Sequence, residues 1–226
     1  MLVGGAVGAV AGGIWAIRQR GGAQDISHLH QWYVSHRSTG FSPPILIAIA
    51  MFAMLSLYWE AAAKDAPESK TQESRRSRAI HVTLVTVAQV LLLLPVPFWQ
   101  ERLVPRSAIL TVTGLVIEFA FLLFAVWARR QLGRNWSGAI AIKVDQKLVR
   151  SGPYRWVRHP IYSAFSGTYL GLLLISGELH ALIGMILVCV AYWRKIRLEE
   201  QFLSRVFGAD YEDYKNSTSA VIPGIV

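Results

Sequence analysis

A single cysteine, Cys189, stands in a chain of 226 residues, which excludes an internal disulfide, and no Cys/His spacing resembles a zinc site. Charge is scarce too. Asp, Glu, Lys and Arg make up 16% of the chain, against about 25% in an ordinary soluble domain, while 53% is apolar. Mean hydropathy is +0.37, and together these values point to a bilayer. Nucleotide-binding signatures are missing: no GxGxxG follows a strand and no GxxxxGK[ST] occurs. HExxH and GxSxG are absent as well. The start lacks the charged opening and cleavage site of a secretory signal, and there is no internal repeat. Any cofactor must therefore be held by a membrane bundle and its polar cap. The net charge of +9 would suit nucleic acid, but the basic residues lie beside apolar segments, where membrane lipids and topology account for them. Neither a nucleic-acid partner nor a metal is expected.

Apolar runs of about twenty residues are long enough to cross a bilayer, and three occur, at 43–63, 79–99 and 107–128. Pro43 and Pro44 open the first, where missing N–H groups cost little. Trp99 and Trp127 suit interfacial anchors, and Pro95 and Pro97 kink or end the second span. The apolar stretch 161–193 is too long for one crossing and is broken at 176–180, which predicts an antiparallel helical hairpin. Beyond Arg197 the chain turns polar and is expected to form a soluble tail. Residues 1–17 form a shorter candidate span, so the fold class is an all-α integral membrane protein with five to six transmembrane helices. Residues 1–128 supply the N-terminal helices; 129–226 supply a loop, the C-terminal hairpin and a cytoplasmic cap. With the N-terminus inside, segments 64–78, 129–158 and 194–226 hold 18 of the 23 Lys and Arg residues, which places them in the cytoplasm. The connector 64–78 reads as mobile, mixed in charge and without a chemical motif. Glu118 falls mid-span, where Gln89 or Thr83 on a neighbouring helix would satisfy it. His28, His30 and His36 read as surface residues of an outer loop.

Two polar clusters stand out. The first is LVRSGPYRWVRHPIY at 148–162. Gly152 and Pro153 mark a turn, and Pro160 sets the start of a helix. Arg158 and His159 then sit at its N-terminal mouth, where backbone N–H groups and the dipole favour an anion such as a cofactor carboxylate. Tyr154 and Trp156 offer flat faces for an adenine, with Tyr162 one turn into the helix; an interfacial Trp/Tyr/Arg belt is the competing reading. The second cluster is RKIRLEEQFL at 194–203. Lys195 with Glu199, and Arg197 with Glu200, have the spacing of helix-surface pairs worth about 0.2–0.5 kcal/mol each; alternatively a carboxylate here meets a cofactor. The hairpin brings both clusters to one end, and that convergence favours a site.

At these residues the chain resembles the isoprenylcysteine carboxyl methyltransferase family and its bacterial and phospholipid-methyltransferase relatives. The resemblance rests on LGRNWS at 132–137, on 148–162, and on EEQFLSRVFGADYEDY at 199–214 followed by Ile222 and Pro223. It implies a membrane enzyme whose cytoplasmic C-terminal half binds S-adenosylmethionine through Leu148, Val149, Tyr154, His159, Pro160, Ile161, Tyr162 and Glu199, with Gln146 and Lys147 as further contacts. The family's basic position one turn before that glutamate faces a substrate carboxylate; Lys195 occupies it, with Arg194 and Arg197 beside it. The implied substrate is a lipophilic small molecule or lipidated chain whose carboxylate is methylated without a base. An amine acceptor would need one, for which His159 or Glu200 would serve. Ala164 stands where relatives commonly have Gly, Gln146 where the eukaryotic enzymes have His, and no basic residue precedes the final Ile-Pro. The alternatives are a phospholipid N-methyltransferase, an NADPH-dependent enzyme resembling membrane sterol reductases, and a non-catalytic membrane interaction protein.

Overall fold

The computed structural model describes residues 42–64, 70–71, 73–93, 101–138, 140–142 and 147–224. The candidate span at 1–17, the histidines His28, His30 and His36, the end-markers Pro95, Pro97 and Trp99, and Gln146 lie outside them. Helix α1 is Pro43–Lys64, opening at the paired prolines. Helix α2, Arg75–Leu93, starts before the apolar run because Ser74 Oγ accepts from the Ser77 N–H at 3.2 Å, an N-cap that lets the intervening arginines be helical. Helix α3 is Ala108–Leu132. The predicted hairpin is formed by α4, Pro160–Ser176, and α5, Leu179–Phe207, and a short helix α6, Ala209–Ser217, follows. Strands β1, Lys70–Thr71, and β2, Ala141–Ile142, make one antiparallel rung pair with Lys70 opposite Ile142.

Helices α1, α2, α5 and α3 with its short extension are long and apolar enough to cross a membrane, and α4 is a shorter apolar helix. This is the all-α membrane architecture that the sequence predicts. Its outer side chains agree, since Met54, Leu57 and Ile109 are 63%, 71% and 77% exposed, as only a lipid solvent tolerates in such number. Helix α5 departs from expectation by running unbroken past the last apolar residues to Phe207. Arg, Lys, Leu, Glu and Gln are all strong helix formers, so the chain has no reason to leave the helix where its hydrophobicity ends.

The hairpin turns on Gly177, whose φ of 63° closes α4 in the left-handed conformation that glycine adopts without a Cβ penalty. The segment before α3 straps this turn, with Leu103 N donating to Gly177 O, Leu179 N to Glu101 O, and Arg102 meeting Glu178 at 3.4 Å. Helix α3 packs against α4 at Gly114 and Gly171; a Cβ on Gly171 would fall 2.6 Å from Gly114 O and 2.8 Å from Glu118 Cβ. Small residues allow this backbone contact, which replaces the hydrophobic drive that lipid cannot supply. Glu118 lies fully buried at the contact. Neither of its carboxyl oxygens has a partner among the described residues. The expected bond to Gln89 does not form, because Gln89 Nε2 donates to Tyr169 Oη at 3.1 Å. Gly171→Val should therefore overpack the α3–α4 contact by about 1–3 kcal/mol, read as a lower midpoint of thermal unfolding in detergent.

Candidate functional site

His159 caps α4 and Pro160 is its first residue, so the backbone N–H that proline lacks is one the helix start would leave unbonded. Pro160 is buried and sets the helix register; it does not line the cavity described below. The helix mouth does not hold an open anion site. His159 N donates to Ala220 O at 3.0 Å, and Arg158 N to Ser219 O at 2.9 Å. The Arg158 guanidinium donates through Nε to Glu200 Oε1 at 2.9 Å and through Nη1 to Lys215 O and Thr218 O. The C-terminal tail thus runs beside 157–159, and Ser163 Oγ holds it further along by donating to Val221 O at 2.6 Å. The Arg158 and Glu200 side chains are 4% and 9% exposed. His159 Nε2 lies 3.4 Å from Glu200 and its Nδ1 3.7 Å from Glu199 Oε2. The two polar clusters therefore meet.

Next to this group opens a cavity of about 170 Å³. Of the sequence-predicted cofactor residues, Lys147, Leu148, Val149, Tyr154, His159, Ile161, Tyr162 and Glu199 line it. Tyr162 Oη donates to Glu199 Oε1 at 2.7 Å, so one edge of that carboxylate is fixed. Asn135 Oδ1 accepts from Lys147 N at 3.0 Å, tying the segment 147–149 to the turn that follows α3. Trp136 forms another wall, held by the Arg129 guanidinium 4.3 Å over its ring and edge-on by Trp59 at 5.7 Å. Trp156, one of the two expected stacking faces, is absent from the lining; it packs on Trp127 at 5.7 Å instead.

Sequence reasoning assigned no role to Asn135, Trp136, Phe202, Phe207, Tyr211 or Tyr214, all of which line the cavity. Their signal lies in the 132–137 and 199–214 motifs, whose letters mark the likeness but do not show which side chains face a cavity. Tyr211 is 1% exposed, and its hydroxyl has no partner among the described residues. Burial, then the nearby Glu200 charge, pushes this phenol well above its ordinary value. It is therefore a protonated donor at any physiological pH, aligned with a cavity that supplies it no acceptor.

The basic triplet is arranged differently from expectation. Neither helix-surface pair forms: Glu199 goes to Tyr162 and Glu200 to Arg158. Lys195 is 4% exposed and its Nζ meets Glu73 Oε2 at 2.6 Å. Arg194 donates to Ser77 Oγ at 3.0 Å and to Ser77 O at 3.3 Å. Arg197 is exposed and stacks on Trp193. The connector expected to be mobile is thus anchored at 73–77. Burial raises the Glu73 carboxyl, but the Lys195 ammonium and the Ser77 hydroxyl outweigh it and hold it below its ordinary 4.5.

Residues 109–210, which include α3, the hairpin and most of the cavity lining, match the family model described as phospholipid methyltransferase. The protein-S-isoprenylcysteine O-methyltransferase of Saccharomyces cerevisiae is 34% identical over 101 residues, 43% of this chain and 42% of that protein. The enzyme of the same name from Schizosaccharomyces pombe is 32% identical over 99 residues, 41% of each chain. Protein-S-isoprenylcysteine O-methyltransferase A of Arabidopsis thaliana is 28% identical over 118 residues, 51% of this chain and 56% of the relative. The chain thus spans about half the length of the curated relatives it matches. A solved structure of the eukaryotic intramembrane Ras methyltransferase, isoprenylcysteine carboxyl methyltransferase, aligns with a TM-score of 0.48 at 20% identity, over 66% of this chain and 51% of that one. The family resemblance read from the sequence is borne out by the family-model match and the curated relatives.

Arg158→Met should leave Glu200 buried with only His159 beside it, at a cost of about 3–5 kcal/mol. Limited proteolysis in detergent should then cut within 205–220 far faster than in the wild type, because the tail carbonyls lose their donor.

Proposed function

We propose that the chain is an S-adenosylmethionine-dependent membrane methyltransferase acting on the carboxylate of a lipophilic, isoprenylcysteine-like acceptor at the cytoplasmic face. The observation that carries this reading is the meeting of residues from three separated segments around one cavity lined mostly by the matched region. Leu148, Val149, Tyr154, His159 and Tyr162 from one segment, Glu199 from another and Tyr211 from a third all line it. The residues present fit the methyl donor. Tyr154, Tyr162 and Trp136 offer aromatic faces for a purine, Glu199 offers a carboxylate edge for ribose hydroxyls or an ammonium, and the unspent Tyr211 hydroxyl offers a donor. When bound, S-adenosylmethionine supplies an electrophilic methyl group on a sulfonium. The chain's own contribution is positioning, which can account for much of the rate of such a transfer. Residues 129–226 supply this machinery, and the helices of 1–128 supply its seat in the membrane.

A carboxylate acceptor requires no proton to be removed. That suits this site, because Glu200 is taken by both Arg158 and His159, so that neither candidate base is unengaged. Lys195 and Arg194, about one turn before Glu199 on α5, are the cations proposed to orient such an acceptor, although neither they nor the exposed Arg197 line the cavity. Phospholipid N-methylation is the second reading, favoured by the description of the matching family model; it would need one of those bases released. The inner-face assignment is supported by the 18 of 23 basic residues in 64–78, 129–158 and 194–226.

Transfer of labelled methyl from S-adenosylmethionine, measured in membranes with an S-prenylated cysteine acid as acceptor, tests the proposal. Glu199→Ala and His159→Ala should abolish transfer while the protein remains folded. Tyr211→Phe, which removes one hydrogen bond worth about 0.5–1.5 kcal/mol, should weaken donor binding about two- to tenfold. Normal transfer by Glu199→Ala would remove this cavity from the reaction.

A further inference from the structure

Lys195 and Glu199 are one turn apart on the same face of α5, about 6 Å along the axis. Glu199 lines the cavity beside Tyr162, which is bonded to it and lies 5.0 Å from the Tyr192 ring. Lys195 is thus one turn from a residue of the cavity wall. The group that Lys195 holds is a carboxylate belonging to the chain itself. Glu73 takes the Lys195 ammonium at 2.6 Å on Oε2 and the Ser77 hydroxyl at 3.0 Å on Oε1. Ser77 is in turn fixed by Arg194. Glu73 N also donates to Ile140 O at 3.3 Å, and Ile140 lines the cavity. Nearby, His81 lies within electrostatic reach of Lys195, Glu73 and Arg194, and its buried Nδ1 has no partner among the described residues. An ammonium and a hydroxyl, with a guanidinium behind them, make a carboxylate-binding site that is already complete.

We propose that Glu73 stands in this site for the carboxylate of the acceptor, so that Glu73 and an acidic acceptor compete for Lys195 and Glu73 sets the affinity and selectivity for acids. The inference rests on the methyl-transfer reading above. The exchange is one carboxylate for another, so the buried ammonium is never left unpaired, which is the costly event in breaking such a pair. Glu73 adjoins Ser74, Arg75 and Arg76, all exposed, and on release it reaches water by turning away from α5. While paired, Glu73 closes the acceptor side through Ile140 and Lys195 together, and an uncharged lipid gains nothing by displacing it.

The test compares wild type with Glu73→Gln, which keeps the side chain's size and removes its charge. The acceptor is an N-acetyl S-prenylcysteine, and its uncharged carboxamide serves as a competitive inhibitor. Donor affinity is followed by calorimetry with S-adenosylmethionine. Glu73→Gln should lower KM for the acid about fivefold, leave donor affinity unchanged and leave inhibition by the carboxamide unchanged. Ser77→Ala, which loosens Glu73 without removing it, should lower KM about twofold and carries the test if Glu73→Gln does not accumulate in folded form. A KM that is unchanged or raised in these variants, with donor affinity intact, overturns the inference and leaves the pair as a fastening of the connector. Equal tightening of acid and carboxamide also overturns it, since that reports an opened path rather than a vacated charge site. Failure of the wild type to bind the donor or to methylate the acid overturns the underlying reading, and it is recognised without any variant.

Discussion

Glu200 binds Arg158 and His159 in a space with little solvent, and Arg158 Nη1 donates to the carbonyls of Lys215 and Thr218. Three parts of the chain are joined there: the start of α4, the C-terminal part of α5 and the stretch from the end of α6 into the tail. Apolar contacts in a lipid environment are non-directional, and the outer faces of these helices would accept several registers of one arm against the other. A hydrogen-bonded group of charges accepts one. Burying charges costs several kcal/mol per ion unless they are partnered, and here Glu200 Oε1 takes both Arg158 Nε and His159 Nε2. The cluster's main effect is specificity of register rather than net stability. It puts Glu199 within 3.7 Å of His159, and the cavity follows from that.

A second tie, between the connector and α5, works at the next turn of the same helix. Glu73 and Ser77 engage Lys195 and Arg194, while the rung pair of β1 and β2 and the bond to Ile140 attach the same connector to the cavity wall. The proposed donor side and the proposed acceptor side are therefore neighbours on α5, with Glu200 beside one and Glu73 beside the other. Glu200 is held by Arg158, which also fastens the tail carbonyls. Glu73 is held by Lys195 and by Ser77 of its own connector. The difference in partners separates a carboxylate that ties the tail from the one proposed to exchange.

The spans, the hairpin and the meeting of 148–162 with 194–203 were legible in the sequence, because each rests on local hydrophobic length, on a glycine turn or on the antiparallel return of the chain. The partners of the charged residues were not. Spacing of three or four residues predicts pairs only on a solvated helix surface, where no better partner is near. Lys195 found Glu73 across 122 positions, and Glu199 found Tyr162 across 37. Glu118 shows the same limit from the other side: its mid-span position suggested a polar partner, yet the glycine contact of α3 with α4 brings backbone, not a donor, to its face. The tyrosines of 211 and 214 were visible as letters of a motif, but only the fold of α6 against the tail turns them into cavity walls.

The most direct test of the central claim is ultraviolet cross-linking of radiolabelled S-adenosylmethionine to the protein in membranes, followed by peptide mapping. Label on peptides containing 132–162 or 199–214, lost in Glu199→Ala and competed by unlabelled donor, is the predicted result. Competable label confined to other segments, or none at a donor concentration that supports methyl transfer, would contradict it.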